Sequence, residues 1–458
     1  MVSCVARLRD IFDEADKNLS QLDRLILDVI RGFGISVLST MLSAIGRTKS
    51  GGTPRKIGID TVLGHVKFTC LYHAPDPGAP MSRQDQRRRK REKAKGQRRI
   101  KNGTFARMGG AQCAFPFKEE LRLLDGMTPA LATLHNRVAV FSGSFREGAD
   151  TLRHLAGVVM SESTFMRRAY AAGKRAEFEQ DLEVMRQVVS GALPFHLTQA
   201  LIAVVPTLYI MLDGTGVPCV KKDTRGRVGK NGKPAGTREI KVGVIGTFRW
   251  KDARGRPVRD PRGETYIATD KEAQSFGAML RRVANSRGYG GKFRIQICGD
   301  GAEWIAKIVE KAFPGQEVIF VNDFYHACEH LHDFLAYALK EKKVSRKIYT
   351  KARGILKRNG GHGLITHLER VYGKAIQDNE DATKELNYFT KRIENMKYPE
   401  YRKQGLYIGS GIIEATCRTV VARRCKQAGM HWRLKNAAAM CALVAKYRSA
   451  IPADKPAA

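Results

Sequence analysis

No two of the nine cysteines stand at CxxC spacing. An odd count at irregular intervals argues against a disulfide framework and against a zinc ribbon. Reduced thiols in a cytoplasm fit that pattern. Acidic residues are scarce, with 45 Asp and Glu facing 80 Lys and Arg, so the formal charge is +35. Long apolar runs are missing too. The most apolar early stretch, Leu22 to Ile45, is broken by Asp23, Arg24, Asp28 and Arg31 and shows no secretory cleavage pattern. The expectation is an intracellular protein that does not engage a membrane.

What is present is a chain of 458 residues, 43% of them hydrophobic. That length implies two to four domains, and that composition allows real cores beneath a basic exterior. Basic chains of this kind meet polyanions, because Lys and Arg that neutralise phosphates release condensed counterions.

Residues 1–115 form an amino-terminal region. Its apolar positions Leu22, Leu25, Ile26, Val29 and Ile30 follow a helical period, and a more β-rich patch comes after them. Residues 83–101 are nearly all charged or polar, a mobile arm or exposed helix in which Arg87, Arg88, Arg89, Lys90 and Arg91 could track DNA phosphates. A solvated linker would look the same.

Residues 116–205 read as a helical domain. A helix containing Ala149, Leu152 and Leu155 ends at a turn around Gly157, and Ser161 caps a second helix through Phe165, Ala169 and Tyr170. This is helix-turn-helix-like, and the second helix would offer Arg167, Arg168, Lys174 and Arg175 to a DNA groove. Ordinary helical domains also contain glycine-joined helix pairs.

Near Pro206 the texture becomes that of an α/β domain. Strands are expected over Leu208–Leu212, Ile240–Phe248, Thr265–Ala268, Phe293–Cys298 and Val318–Val321. Helices are expected over Ala273–Asn285, Ala302–Ala312 and Tyr325–Leu339. Three antiparallel strands followed by crossing strands and helices is the order of the ribonuclease H core. It would occupy residues 206–342 and 406–450, with residues 343–405 as a basic helical insertion.

Three acids stand where chemistry is possible. Asp213, in LDGTGVP, closes an expected strand, with glycines and proline stopping it. Asp300, in ICGDGAEWI, lies between a strand and a helix. Glu414, in GSGIIEATCR, sits one turn into an amphipathic helix. Each has an ordinary explanation as a turn aspartate, an N-cap or a helix-dipole partner. Open α/β sheets, however, gather ligands at the carboxyl ends of their strands. Two-metal phosphoryl transfer needs several carboxylates, and Asp and Glu are hard oxygen ligands suited to Mg²⁺. His326, Glu329 and His330 also spell H-x-x-E-H, the spacing of inverted zinc peptidases. A basic chain with a separate acidic triad disfavours that alternative.

Taken together, LDGTGVP, ICGDGAEWI, VNDFYHACEHL, YRKQGLYIGSGIIEATCR and RCKQAGMHW resemble the bacterial insertion-sequence transposases of the ISKra group, within the DDE transposases, over about residues 200–445. The resemblance implies a ribonuclease-H-like catalytic domain whose triad is Asp213, Asp300 and Glu414, holding two Mg²⁺ ions, with Mn²⁺ as a substitute. Water would free a 3′-hydroxyl at an element end, and that hydroxyl would attack target DNA. Asp323 and His326 resemble the acid-x-x-His element of related lineages and would be auxiliary. Double-stranded DNA is the implied partner, pairing of two ends implies a homo-oligomer, and the location would be a bacterial cytoplasm at the nucleoid. Two other readings stay open: a catalytically silent DNA-binding descendant, and a nuclease on the same fold.

Overall fold

The computed structural model describes residues 19–47, 53–72, 121–190, 207–229, 232–246, 248–251, 257–259, 264–286, 294–299, 305, 308, 311–341 and 343–449. The basic arm with Arg87, Arg88, Arg89, Lys90 and Arg91 lies outside them, as do Asp300 and most of the helix expected at 302–312. The chain divides into two compact units, one of residues 1–139 with 144–168 and one of residues 140–143 with 169–458.

The first unit begins with helix α1 (Leu19–Arg47) and the antiparallel hairpin β1 (Thr53–Thr61) and β2 (Gly64–Tyr72). Ile59, Val66, Phe68 and Cys70 form its buried cluster, against which Ile35, Leu38 and Leu42 of α1 pack. Ser39 Oγ donates to the Lys67 carbonyl at 2.6 Å, fixing helix to strand. By length and composition, Asp23–Gly46 is apolar enough to cross a membrane, with a mean hydropathy of 1.7. The charges Asp23, Arg24, Asp28 and Arg31 fall within its first nine residues and leave residues 32–46 uncharged.

Helices α2 (Pro129–Phe141), α3 (Phe145–Ala156) and α4 (Glu162–Ser190) follow. Ser144 caps α3 by accepting from the Glu147 N–H, and Gly157 ends it in the left-handed conformation at φ 61°, where a side chain would add strain. The Ser161 hydroxyl accepts from the Thr164 N–H at 3.3 Å at the start of α4. Gly148 lets α3 and α4 approach, since a Cβ there would lie 2.6 Å from the Phe165 ring.

The second unit is mixed α/β around a five-stranded sheet in the order β7-β4-β3-β8-β9. Its strands are β3 (Thr207–Pro218), β4 (Thr237–Gly246), β7 (Thr265–Thr269), β8 (Arg294–Gly299) and β9 (Glu317–Asn322), with a small hairpin of β5 (Phe248–Lys251) and β6 (Pro257–Arg259) after β4. β3 is antiparallel to β4, and β4 to β7; β3 is parallel to β8, and β8 to β9. Leu208, Ile210 and Leu212 turn one face of β3 into the main core, with Ile295 and Ile297 of β8 and Phe276 and Leu280 of helix α5 (Ala273–Ser286). Alternation sends Tyr209 the other way, where its ring meets Tyr407 with centroids 4.6 Å apart.

Helix α6 (Phe324–Leu339) leaves the end of β9. The expected insertion is helical, comprising α7 (Arg346–Asp378, kinked at Gly360), α8 (Glu380–Lys391) and α9 (Tyr398–Lys403). Helix α10 (Gly411–Thr416), a π-helical turn over Cys417–Ala422 and helix α11 (Leu434–Arg448) complete the unit. α11 is buried continuously from Ala437 to Ala445.

Candidate active site

β3 does not stop at Leu212 as expected. It runs on to Pro218, with Asp213 paired to Val242 and Gly216 to Glu239. The glycines sustain this pairing: a Cβ at Gly214 would sit 2.2 Å from the Glu239 carboxylate. Pairing with the parallel neighbour, by contrast, ends at Met211 and Cys298. Asp213 therefore emerges beyond the last β3–β8 pair, at the carboxyl end of the parallel strands, although its own strand continues. β8 ends at Gly299, the residue before Asp300.

Asp213 Oδ1 accepts from the Gly214 N–H at 2.7 Å, and Oδ2 accepts from the Cys417 thiol at 3.3 Å. Glu414 stands one helical turn before Cys417, in the first turn of α10 and exposed. Burial first, then the charge and hydrogen bond of Asp213, push the Cys417 thiol far above its ordinary range. Lys426 opposes that shift and Glu414 adds to it. Lys426 Nζ is itself held by Thr215 Oγ1 at 2.5 Å, two residues along β3 from Asp213. Of these charged groups, Asp213 contacts the buried thiol, and Glu414 and Lys426 act on it through their charge.

The loop leading into α10 is strapped to the strand ends. Gln296 of β8 accepts from the Tyr407 N–H at 3.0 Å and donates to the Tyr407 carbonyl. The Phe324 N–H donates to the Ile408 carbonyl at 2.8 Å, and the Asp323 N–H to the Gly299 carbonyl at 2.8 Å. Asp323 Oδ1 caps α6 by accepting from Tyr325 N–H at 2.6 Å and His326 N–H at 3.3 Å. Its Oδ2 accepts from the Ser410 N–H at 3.0 Å and from the Ser410 hydroxyl. Burial raises the Asp323 pKa, these backbone N–H groups pull it back, and Glu414 adds a further rise. Asp323 therefore feels the charge of Glu414, but its oxygens are used to cap α6 and hold the strap.

His326 faces elsewhere. Its Nδ1 lies 3.1 Å from Glu329 Oε2, and its ring meets His330 edge-on at 4.9 Å. His330 stacks on Tyr388 at 3.6 Å and bonds Glu385 at 2.6 Å. The H-x-x-E-H residues thus pair sideways rather than converge on one point. The insertion is tied to the sheet end one residue before Asp323, because Asn322 Nδ2 donates to Tyr388 Oη at 2.9 Å and its carbonyl accepts from Tyr398 Oη at 2.9 Å.

No family model and no curated protein matches this chain. The site's chemistry accordingly rests on its own residues. Among the described residues no group of three or more His, Cys, Asp or Glu is arranged to hold a metal ion. Asp213 and Glu414 nevertheless supply hard carboxylate oxygens of the kind Mg²⁺ takes.

Of the expected DNA-contacting residues on α4, Arg167 and Lys174 are exposed, whereas Arg168 and Arg175 are half-buried. Arg168 Nη2 is paired with Asp60 Oδ2 at 2.7 Å, and Asp60 Oδ1 also bonds His65 at 2.7 Å. Of the four cations expected to face a groove, Arg168 has its charge already matched by Asp60. Cys417, Ser410, Gln296 and Lys426 carried no signal in the sequence, because each acts through a partner remote along the chain.

Proposed function

We propose that the chain is a DNA transposase with a ribonuclease-H-like core, and that Asp213, Asp300 and Glu414 are its acidic triad. The carrying observation is that Asp213, just past the last parallel pair of the sheet, accepts from the Cys417 thiol at 3.3 Å, and Cys417 follows Glu414 of α10 by one helical turn. Sheet order supports the same reading. Counted along the chain, the strands of that sheet lie third, second, first, fourth, fifth, with the first three antiparallel and the last two parallel to the first. The register that joins Met211 to Cys298 stands two residues before Asp213 on β3 and two before Asp300 in sequence. The helices α7 to α9 interrupt the unit between α6 and α10, where the resemblance expects an insertion.

In this reading Asp213, Asp300 and Glu414 would hold Mg²⁺, with Mn²⁺ able to substitute, and the bound ions supply activation of the attacking oxygen and stabilisation of the leaving one. The residues themselves do the positioning. Cys417 orients the Asp213 carboxylate, the Asp323–Ser410 strap fixes the start of the helix that carries Glu414, and Lys426 offers positive charge beside the site for a scissile phosphate. Hydrolysis at an element end exchanges the 3′ P–O bond for one to water and leaves a 3′-hydroxyl. Strand transfer then exchanges a target P–O bond for one to that hydroxyl. Double-stranded DNA would be the partner, a homo-oligomer the active form, and a bacterial cytoplasm at the nucleoid the location.

The test is strand transfer by purified protein with Mg²⁺ and labelled DNA carrying the element's ends, run beside a DNA-binding assay. Asp213→Asn, Asp300→Asn and Glu414→Gln should each lower joining by at least about a thousandfold while binding persists. Binding without cleavage by the wild type would favour a silent DNA-binding descendant, and cleavage without joining would favour a nuclease.

A further inference from the structure

On the side of α1 away from the hairpin, Leu27, Ile30, Phe33, Val37, Met41 and Ile45 follow one another at helical spacing, each between 39% and 55% exposed. Beside this ridge runs a row of small exposed residues at four-residue intervals, Gly32, Ser36, Thr40 and Ala44. The hydroxyls in that row are satisfied within the helix. Ser36 Oγ donates to the Gly32 carbonyl at 3.0 Å, and Thr40 Oγ1 to the Ser36 carbonyl at 3.0 Å. The row can therefore lose water without stranding a donor. An added Cβ at Gly32 would meet nothing within 4 Å.

A ridge at 33, 37, 41 and 45 and a trough at 32, 36, 40 and 44 both run along the four-residue direction of the helix surface. Such a pair is complementary to its own two-fold image, ridge into trough. We propose that a second copy of this chain docks here, α1 against α1, in a two-fold contact centred near Val37 and Thr40.

Area and charge both favour a second copy. With roughly 150–200 Å² for a fully exposed large apolar side chain, the ridge together with Leu27 and Ile30 offers on the order of 500 Å² per copy. A pair would then bury about 1,000 Å², the lower bound for a specific interface. Two chains that each carry +35 repel over most of their surface, and residues 32–46 contain no charge at all. A bilayer is a poorer occupant. The other side of α1 is bonded to a two-stranded ribbon, through Ser39 to Lys67 and through the Thr69 N–H to Ser43 Oγ at 3.0 Å. That ribbon carries Arg55, Lys56 and Lys67, charges that hydrocarbon does not tolerate.

The inference does not rest on the catalytic reading and is tested without DNA. Full-length protein in sedimentation velocity at micromolar concentration should show twice the chain mass. The double substitution Val37→Glu with Met41→Glu should return it to one chain mass with an unchanged circular dichroism spectrum. Val37→Cys should cross-link two copies under mild oxidation well above the wild-type background, a readout that survives if the double variant misfolds. A wild type that stays at one chain mass overturns the proposal. A dimer that persists in the folded double variant, or a dimer in which Val37→Cys gives no added cross-link, does the same. Flotation of the wild type with phosphatidylcholine vesicles, abolished by the double substitution, would assign the face to a bilayer instead.

Discussion

Asp323 and Ser410 stand 87 positions apart, yet one carboxylate oxygen of Asp323 accepts from both the backbone N–H and the hydroxyl of Ser410. The other oxygen caps α6. A single buried side chain thus joins the end of β9, the start of α6 and the turn from which α10 departs. Glu414 lies in the first turn of α10, and its N–H bonds the Ser410 carbonyl at 3.2 Å. Displacing Ser410 must therefore displace Glu414.

Asp323→Ala should cost roughly 2–4 kcal/mol, because it strands the cap and strap donors together, whereas Ser410→Ala loses only the hydroxyl bond, about 1 kcal/mol. Urea unfolding of the two single variants and the double variant measures this, with the double close to Asp323→Ala alone. On the proposed transposase reading, metal-dependent joining should fall in Asp323→Ala more than DNA affinity does. Equal destabilisation by the two single substitutions would remove the strap from the account.

The Cys417 thiol donates to Asp213, and burial beside that carboxylate keeps it protonated. Native protein at about pH 8 should therefore alkylate at Cys417 at least about a hundredfold more slowly than a free thiol, since the thiolate is the nucleophile. Peptide mass spectrometry after brief iodoacetamide treatment checks it. Cys417→Ser keeps a donor toward Asp213 and should retain joining within a few-fold. Cys417→Val removes the donor at similar volume and should lower kcat about tenfold with DNA binding unchanged. Rapid labelling of Cys417 in folded protein would contradict the geometry.

Local chemistry made much of this fold legible. The α3–α4 pair was readable because Gly157 and Ser161 act on their own neighbours. The starts of β7 and α5 follow from apolar periodicity in the same way. Read from the sequence, β3 ends too early, because Gly214, Gly216 and Pro218 look like turn residues, whereas pairing with the antiparallel β4, and at Pro218 the Trp432 N–H, keeps them extended. Asp213 and Glu414 could be picked out singly, but not the means that hold them. Gln296 reaches Tyr407 across 111 positions and Arg168 reaches Asp60 across 108. No window along the chain contains both partners. The π-helical turn over Cys417–Ala422 likewise breaks no propensity rule that would announce it.

Exposure separates the cations of α4 into two kinds. Arg167→Ala and Lys174→Ala should each weaken DNA binding uniformly across sequences and reduce the salt slope by about 1 if each contacts a phosphate. Arg168→Ala should act differently, because its partner Asp60 is only 18% exposed. Leaving that carboxylate without its guanidinium should cost roughly 2–4 kcal/mol of stability. Titrations at several salt concentrations, paired with thermal melts, distinguish the two. An unchanged melt for Arg168→Ala would mean that the Asp60 pair contributes nothing.

His135 provides a pH dependence whose sign follows from its surroundings. It is buried between α2 and α4, with Nε2 3.2 Å from the Phe165 carbonyl and the ring 4.4 Å from the Phe165 ring. Burial lowers its pKa, Arg168 lowers it further, and the hydrogen bonds to Asn136 and Phe165 and the charge of Asp125 offset part of the fall. The folded value thus lies below the unfolded one, so the unfolded chain takes up the proton first as pH drops. This contribution to stability is intact above about pH 6.5 and is lost as pH falls through the folded value, at up to about 1.4 kcal/mol per pH unit. Between about pH 7.5 and about pH 5.5 the urea midpoint of the wild type should fall more than that of His135→Gln, which cannot titrate. Equal losses in the two proteins would show that His135 takes up its proton as readily in the folded chain as in the unfolded one, and that other groups carry the acid sensitivity.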